Sequence, residues 1–297
     1  MSLKKYTLFV LIYNIFVILL GAVVRATGSG AGCGSHWPSC NGEVIPTAPE
    51  IETLIEFSHR LTSGLTIIFI VILFVWVFRR YSKGSKVRKA AFFVLLFIAI
   101  EAIIGAGLVL FELVADNSSV YRAFVISIHL INTFLLLGSN VLLYEWIRFG
   151  EPQKMIISKN GKQIFILIFI LFLALGASGA ITALGDTLFP ADSLAGGLEQ
   201  DFGGENFLLQ LRVYHPMIAV AMGLAFYYLY SSFLSKSKNQ RMNRYFKFMA
   251  ILFGFQMLIG VVNVLLLAPI WMQIFHLFLA DLIWIIFVLW VNQIIYY

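Results

Sequence analysis

Four histidines stand inside long apolar stretches, at His59, His129, His215 and His276. An imidazole nitrogen is a favoured axial ligand of heme iron, and helical bundles build such sites from side chains on facing helices. Chain order pairs His59 with His129 and His215 with His276. A single histidine in a membrane helix is as readily explained by one hydrogen bond to a neighbouring helix. Polar groups are costly in lipid, however, and four of them at repeated positions argue for a cofactor. The fifth, His36, lies in a loop and reads as a surface residue.

Other residues cluster around this set. Glu56 precedes His59 by three positions, so on a helix the two share a face. A carboxylate there can move protons or steady a cationic intermediate in a poorly hydrated site; the alternative is a helix-start acid favoured by the macrodipole. The only cysteines, Cys33 and Cys40, flank Trp37 and Pro38 in one loop. A disulfide is the default in an oxidising compartment, where it would stiffen a lid, and a redox-active dithiol is the alternative. Glycines at 28, 30, 32 and 34 permit tight turns. Arg25, Arg60, Arg122 and Arg212 each fall near a helix end, suited either to pairing with carboxylates or to anchoring at the membrane interface. Glu101 and Asp281 are intramembrane acids, functional suspects or interhelix hydrogen-bonding groups.

The elements that position these residues are membrane helices. The chain is 60% hydrophobic and 12% charged, with a mean hydropathy of +0.90, unlike a water-soluble domain. Stretches of roughly 20 apolar residues run over about 6–24, 55–78, 90–110, 122–147, 163–183, 208–231, 245–267 and 271–295. The first, behind Lys4 and Lys5, is expected to be a retained helix, because seven more apolar stretches follow it. Seventeen of the 21 basic residues fall in alternate connections, including Lys154, Lys236 and Lys238. The positive-inside rule then places both termini inside and the segments Arg25 to Leu54, Phe111 to Tyr121 and Leu184 to Phe207 outside. Topology accounts for the net charge of +6, and no nucleic-acid partner is implied.

The two halves align weakly but in order. GAVVRATG from Gly21 matches GAITALGD from Gly179, EFSHR around His59 matches RVYHP around His215, EAIIG from Glu101 matches QMLIG from Gln256, and ISIHL at His129 matches QIFHL at His276. The offsets are 158, 156, 155 and 147 residues. The expected architecture is all-α and polytopic: eight transmembrane helices as two pseudo-symmetric four-helix bundles, residues 1–150 and 151–297. The four histidines would share one depth, near the outer face. Glu56 falls opposite Arg212, an asymmetry suggesting that one half does chemistry and the other holds a cofactor.

GAVVRATGSGAGCGSHWPSCNG from Gly21, IEFSHR from Ile55 and the helical histidines at 129, 215 and 276 together resemble the heme A synthase family along the whole chain. The resemblance implies a plasma-membrane oxidoreductase that converts the ring methyl of heme O, through a hydroxymethyl stage, to the formyl group of heme A. It implies a resident heme b held by His215 and His276 with Arg212. The substrate heme would face His59 and His129, with Glu56 catalytic and Arg25, Arg60 and Arg122 at its propionates. It also implies a link to heme O synthase, the protoheme farnesyltransferase that makes the substrate, and an electron donor of unspecified identity. One departure is that some members carry a second cysteine pair in the outer loop between the fifth and sixth helices. Here that loop has none and is acidic, with Asp186, Asp192, Glu199, Asp201 and Glu205. Two other classes compete: a bis-histidine membrane cytochrome passing electrons from quinol to a partner, and a two-repeat transporter or heme carrier. The first leaves Glu56 and the cysteine loop unexplained, and the second lacks obvious broken helices at mid-membrane.

Overall fold

The computed structural model describes residues 1–152, 159–203, 206–234 and 239–296. Lys154, Lys236, Lys238 and Glu205 lie outside the described residues. The helices are α1 (Leu3–Ala26), α2 (Ile51–Arg80), α3 (Lys86–Leu110), α4 (Val120–Phe149), α5 (Lys159–Leu188), α6 (Leu194–Gly203), α7 (Phe207–Arg212), α8 (Tyr214–Leu229), α9 (Gln240–Leu265) and α10 (Ile270–Tyr296). Among the described residues the only β pairing is an isolated bridge between Cys40 and Glu43. Among the described residues eight helical spans are long and apolar enough to cross a membrane, the sixth running through α7 and α8 to Ser232.

Helix starts follow local chemistry. Side chains of Ser2, Ser85, Ser119, Asn206 and Asn239 each accept a backbone N–H of the first turn, supplying acceptors that a helix start lacks. The observed helices overrun the apolar stretches at most ends, because polar residues outside the hydrocarbon continue the helical ladder. The largest departure is α5, which extends to Leu188, so Leu184 to Leu188 are helical where a loop was expected. The expected outer loop also contains a helix of its own, α6, whose Gly-rich sequence gave no sign of it. The expected sixth helix divides at Val213. Pro216 has no N–H, and its ring crowds the carbonyl four residues back, at Arg212.

Within residues 1–149 the packing runs from α1 to α2, α3, α4 and back to α1, and in the C-terminal part α5 packs on α8 and α9 on α10. The parts meet along α1, α4, α5 and α10. Trp284 is 1% exposed at this junction; its indole donates to the Phe134 carbonyl and its ring stacks on Phe134 with centroids 5.3 Å apart. Gly138 allows the approach, since a β-carbon there would lie 3.3 Å from Trp284 Nε1. At one end of the bundle Arg25 meets Thr187 and Gln273, and at the other Arg241 meets Glu145.

Candidate heme sites

All four helical histidines lie toward the end of the bundle that carries Arg25. His59 is the ninth residue of α2, His129 the tenth of α4, His215 the ninth counted from the start of α7, and His276 the seventh of α10. At about 1.5 Å per residue they share a depth roughly two turns or more inside the helix ends. Each is half-buried.

Each ring also lies against a glycine of a neighbouring helix. A β-carbon built at Gly21 would be 2.9 Å from His59 Cε1, and one at Gly179 would be 3.0 Å from His215 Cε1. At Gly260 the distance to His276 Cε1 is 3.3 Å, and at Gly105 to His129 Cε1 it is 3.9 Å. A glycine permits this close approach of ring to backbone. The four glycines belong to the motifs GAVV, GAIT, EAIIG and QMLIG, so the sequence carried the signal. It was readable only once the rings were seen to rest on them.

His215 and His276 face each other with ring centroids 6.3 Å apart and planes at 70°. Two imidazoles bound to opposite sides of one metal, each nitrogen about 2 Å from it, have centroids roughly 6 Å apart. The tautomer at His215 follows from its partner. Ser178 Oγ gives its hydrogen to the Leu175 carbonyl at 2.8 Å, so at His215 Nδ1, 3.0 Å away, it accepts. The proton is then on Nδ1, and Nε2 keeps its lone pair for a ligand. Nδ1 of His276, His129 and His59 is buried without a hydrogen-bond partner. Among the described residues none of the four Nε2 atoms takes a hydrogen bond. The ring geometry and donor atoms at His215 and His276 therefore fit heme iron, and His59 and His129 offer the same donor atoms.

The cysteines form the expected disulfide, with Cys33 and Cys40 0% and 1% exposed. Glu56, 3% exposed, lies in the second turn of α2, whereas the first-turn acid is Glu52. The helix-start explanation therefore fits Glu52 better than Glu56. Glu56 Oε2 accepts the Cys33 N–H at 2.8 Å, and Oε1 accepts from Arg60 at 2.5 Å. Arg60 in turn donates to the carbonyls of His36 and Ser39 at 2.6 and 2.7 Å. The pair is thus a clamp on the cysteine loop. The glycines of that loop divide in role. Gly28 and Gly34 adopt φ of +70° and +62°, while Gly32 has no room for a side chain, since a β-carbon would lie 2.5 Å from the Glu52 backbone.

The other arginines are engaged too. Arg25 donates to Ala183 O, Thr187 Oγ1 and Gln273 Oε1, which carries it to α5 and α10 and away from the helices of the first histidine pair. Arg122 binds the carbonyls of Ala115 and Asn117 while its Nε is buried without a partner. Arg212 pairs with Asp186 at 2.9 Å and Asp201 at 2.7 Å, tying α6 and the end of α5 to α7 by ion pairs. Arg212→Ala leaves two half-buried carboxylates unpaired. It should cost about 1–3 kcal/mol, visible as a lowered thermal midpoint and faster proteolysis near Leu194–Gly203; unchanged values would show that the ion pairs do not hold α6.

Two concavities adjoin these features. A polar cleft of about 690 Å³ lies outside the cysteine loop, lined by Asn41, Glu43, Glu50 and Glu52 among others, and no histidine reaches it. A wholly apolar crevice of about 200 Å³ opens between α3 and α4, bounded by Ile104, Phe111, Leu113, Val125 and Ile128, next in sequence to Gly105 and His129.

A family model named COX15-CtaA, described as cytochrome oxidase assembly protein, matches residues 4–288. The chain is 47% identical over 292 residues to a protein of Thermus thermophilus named protoheme IX farnesyltransferase, covering 96% of this chain and 47% of the relative. It is 36% identical over 179 residues to a protein named heme A synthase from Halalkalibacterium halodurans, covering 60% of this chain and 58% of the relative. A second protein of that name, from Exiguobacterium sp., is 35% identical over 159 residues, or 54% of this chain and 50% of the relative. The chain spans about half the length of the curated relatives it matches.

Proposed function

This chain belongs to the COX15-CtaA family of cytochrome oxidase assembly proteins, and from that premise we propose that it is a heme A synthase. The observation that carries the reading is the pair of facing rings at His215 and His276, with His59 and His129, like them, each lying near a glycine of a neighbouring helix. Relatives named heme A synthase support it.

His215 and His276, in the half 151–297, hold a resident heme b, which supplies one-electron chemistry when bound. The half 1–150 receives heme O between His59 and His129. The apolar crevice beside His129 suits the isoprenoid tail of that substrate. Arg122, with Nε unpartnered, keeps donor capacity for a propionate, whereas Arg60 and Arg212 serve the clamps and Arg25 serves α5 and α10. Glu56 holds the cysteine loop over the first site and is placed to accept or return a proton as the ring methyl passes through the hydroxymethyl to the formyl stage. Electrons come from a donor outside the chain. With the basic loops inside, the heme sites lie toward the outer face of the plasma membrane. The match to a protein named protoheme IX farnesyltransferase supports a working association with the enzyme that makes heme O.

The test is to co-express the chain with a heme O-producing enzyme, extract the hemes and separate them by chromatography. Heme A is expected to accumulate under aerobic conditions. Recovery of heme O and heme b alone would overturn the synthase reading and leave a bis-histidine cytochrome.

A further inference from the structure

Glu101 lies within the membrane-spanning part of α3, and residues of α4 hold its carboxyl group. Asn132 Nδ2 donates to Oε2 and also to the Phe97 carbonyl at 2.9 Å, and Thr133 Oγ1 donates to Oε1. The same Oε1 is 3.4 Å from His129 Nδ1. The contact falls short of a hydrogen bond, and hydrogen bonds in such sites often tighten only when the ligand binds. An acceptor so placed favours the proton on Nδ1 and leaves the Nε2 lone pair for a ligand.

The second half has no counterpart. At the repeat-equivalent positions Gln256 stands for Glu101, Leu279 for Asn132 and Ala280 for Thr133. Gln256 Nε2 donates to the His276 carbonyl at 3.0 Å, and its Oε1 is left buried without a partner, as is His276 Nδ1. Three positions thus differ in concert, and they differ around one histidine. Within the first half the two rings are also unlike: His129 has a carboxyl oxygen beside Nδ1, while His59 Nδ1 has no partner.

We infer that Glu101 is a positioning residue that acts through His129. It makes His129 the stronger, proximal ligand of the substrate heme and leaves the His59 side, beneath the Cys33–Cys40 loop, as the face open to ligand exchange. The inference rests on the proposed placement of the substrate heme in the first half. A carboxyl group that accepts from a ligating imidazole raises the basicity of the bound nitrogen, and losing it typically weakens binding by 10- to 100-fold.

The experiment titrates hemin into the purified full chain that already carries its second-half heme, and follows absorbance and midpoint potential. Glu101→Gln is expected to weaken hemin binding at the His129-dependent site about 10- to 100-fold and to raise the potential of that heme, while the other heme keeps its spectrum and potential. His59→Ala is expected to bind hemin more tightly than His129→Ala, and the reverse order overturns the inference. Wild-type affinity and potential in Glu101→Gln, with binding abolished in His129→Ala, would remove Glu101 from this role and leave the site assignment standing. Hemin binding unchanged in His129→Ala would instead overturn the site assignment, and this inference with it. If Glu101→Gln loses the second-half heme and with it the fold, Glu101→Asp is read in the same way: shifts in the same directions support the role, and wild-type values overturn it.

Discussion

Purified His215→Ala protein is expected to lose most of its heme b, with the absorbance of a low-spin bis-histidine heme disappearing. The His215 and His276 rings stand 6.3 Å apart, and the Ser178 hydroxyl, 3.0 Å from His215 Nδ1, can accept the proton there, which frees Nε2 as the ligand atom. Alanine removes one of the two imidazoles proposed to hold the heme and opens a void against Gly179, whose β-position is 3.0 Å from the ring. The comparison is His59→Ala, which should keep the heme b and lose heme A formation. Heme content unchanged in His215→Ala and reduced in His59→Ala would reverse the assignment of the two halves.

Heme A yield in Glu56→Ala is expected to fall by an order of magnitude or more, with a measurable loss of stability. Alanine leaves the Cys33 N–H and the Arg60 guanidinium without their shared acceptor in a buried place, a change worth about 1–3 kcal/mol. Glu56→Gln separates the two roles of the side chain. Its amide oxygen can still accept from Cys33, but the group no longer exchanges a proton near neutral pH. Stability restored with the yield still low assigns Glu56 to proton movement in the oxidation. A wild-type yield in Glu56→Gln would remove it from the chemistry and leave it as the clamp.

Much of the fold was legible in the sequence for one reason. A span of lipid needs an unbroken apolar run with its backbone hydrogen bonds closed within the helix, so length and hydropathy marked every span. The disulfide was legible too, as the default for two cysteines in a loop expected on the oxidising side. What stayed hidden has a different physical origin. The helix α6 forms in a segment with three glycines within its ten residues, held in part by Gln200 and Asp201 reaching Arg212. No local propensity announces an element that depends on a distant ion pair.

The arginines show the same division more sharply. Composition and position made Arg25, Arg60, Arg122 and Arg212 equivalent, four cations near helix ends. Packing made them four different things: a tie from α1 to α5 and α10, half of the Glu56 clamp, a brace for the loop before α4 with one donor to spare, and the anchor of α6. The sequence by itself determined that this protein is a bundle of membrane helices with histidines at one depth, because spacing and hydropathy act along the chain. Only the tertiary structure decided which groups back each histidine. A serine hydroxyl stands beside His215 and a carboxyl group beside His129. Those partners come from helices tens of residues away, and their separations of 3.0 and 3.4 Å are set by how the helices pack.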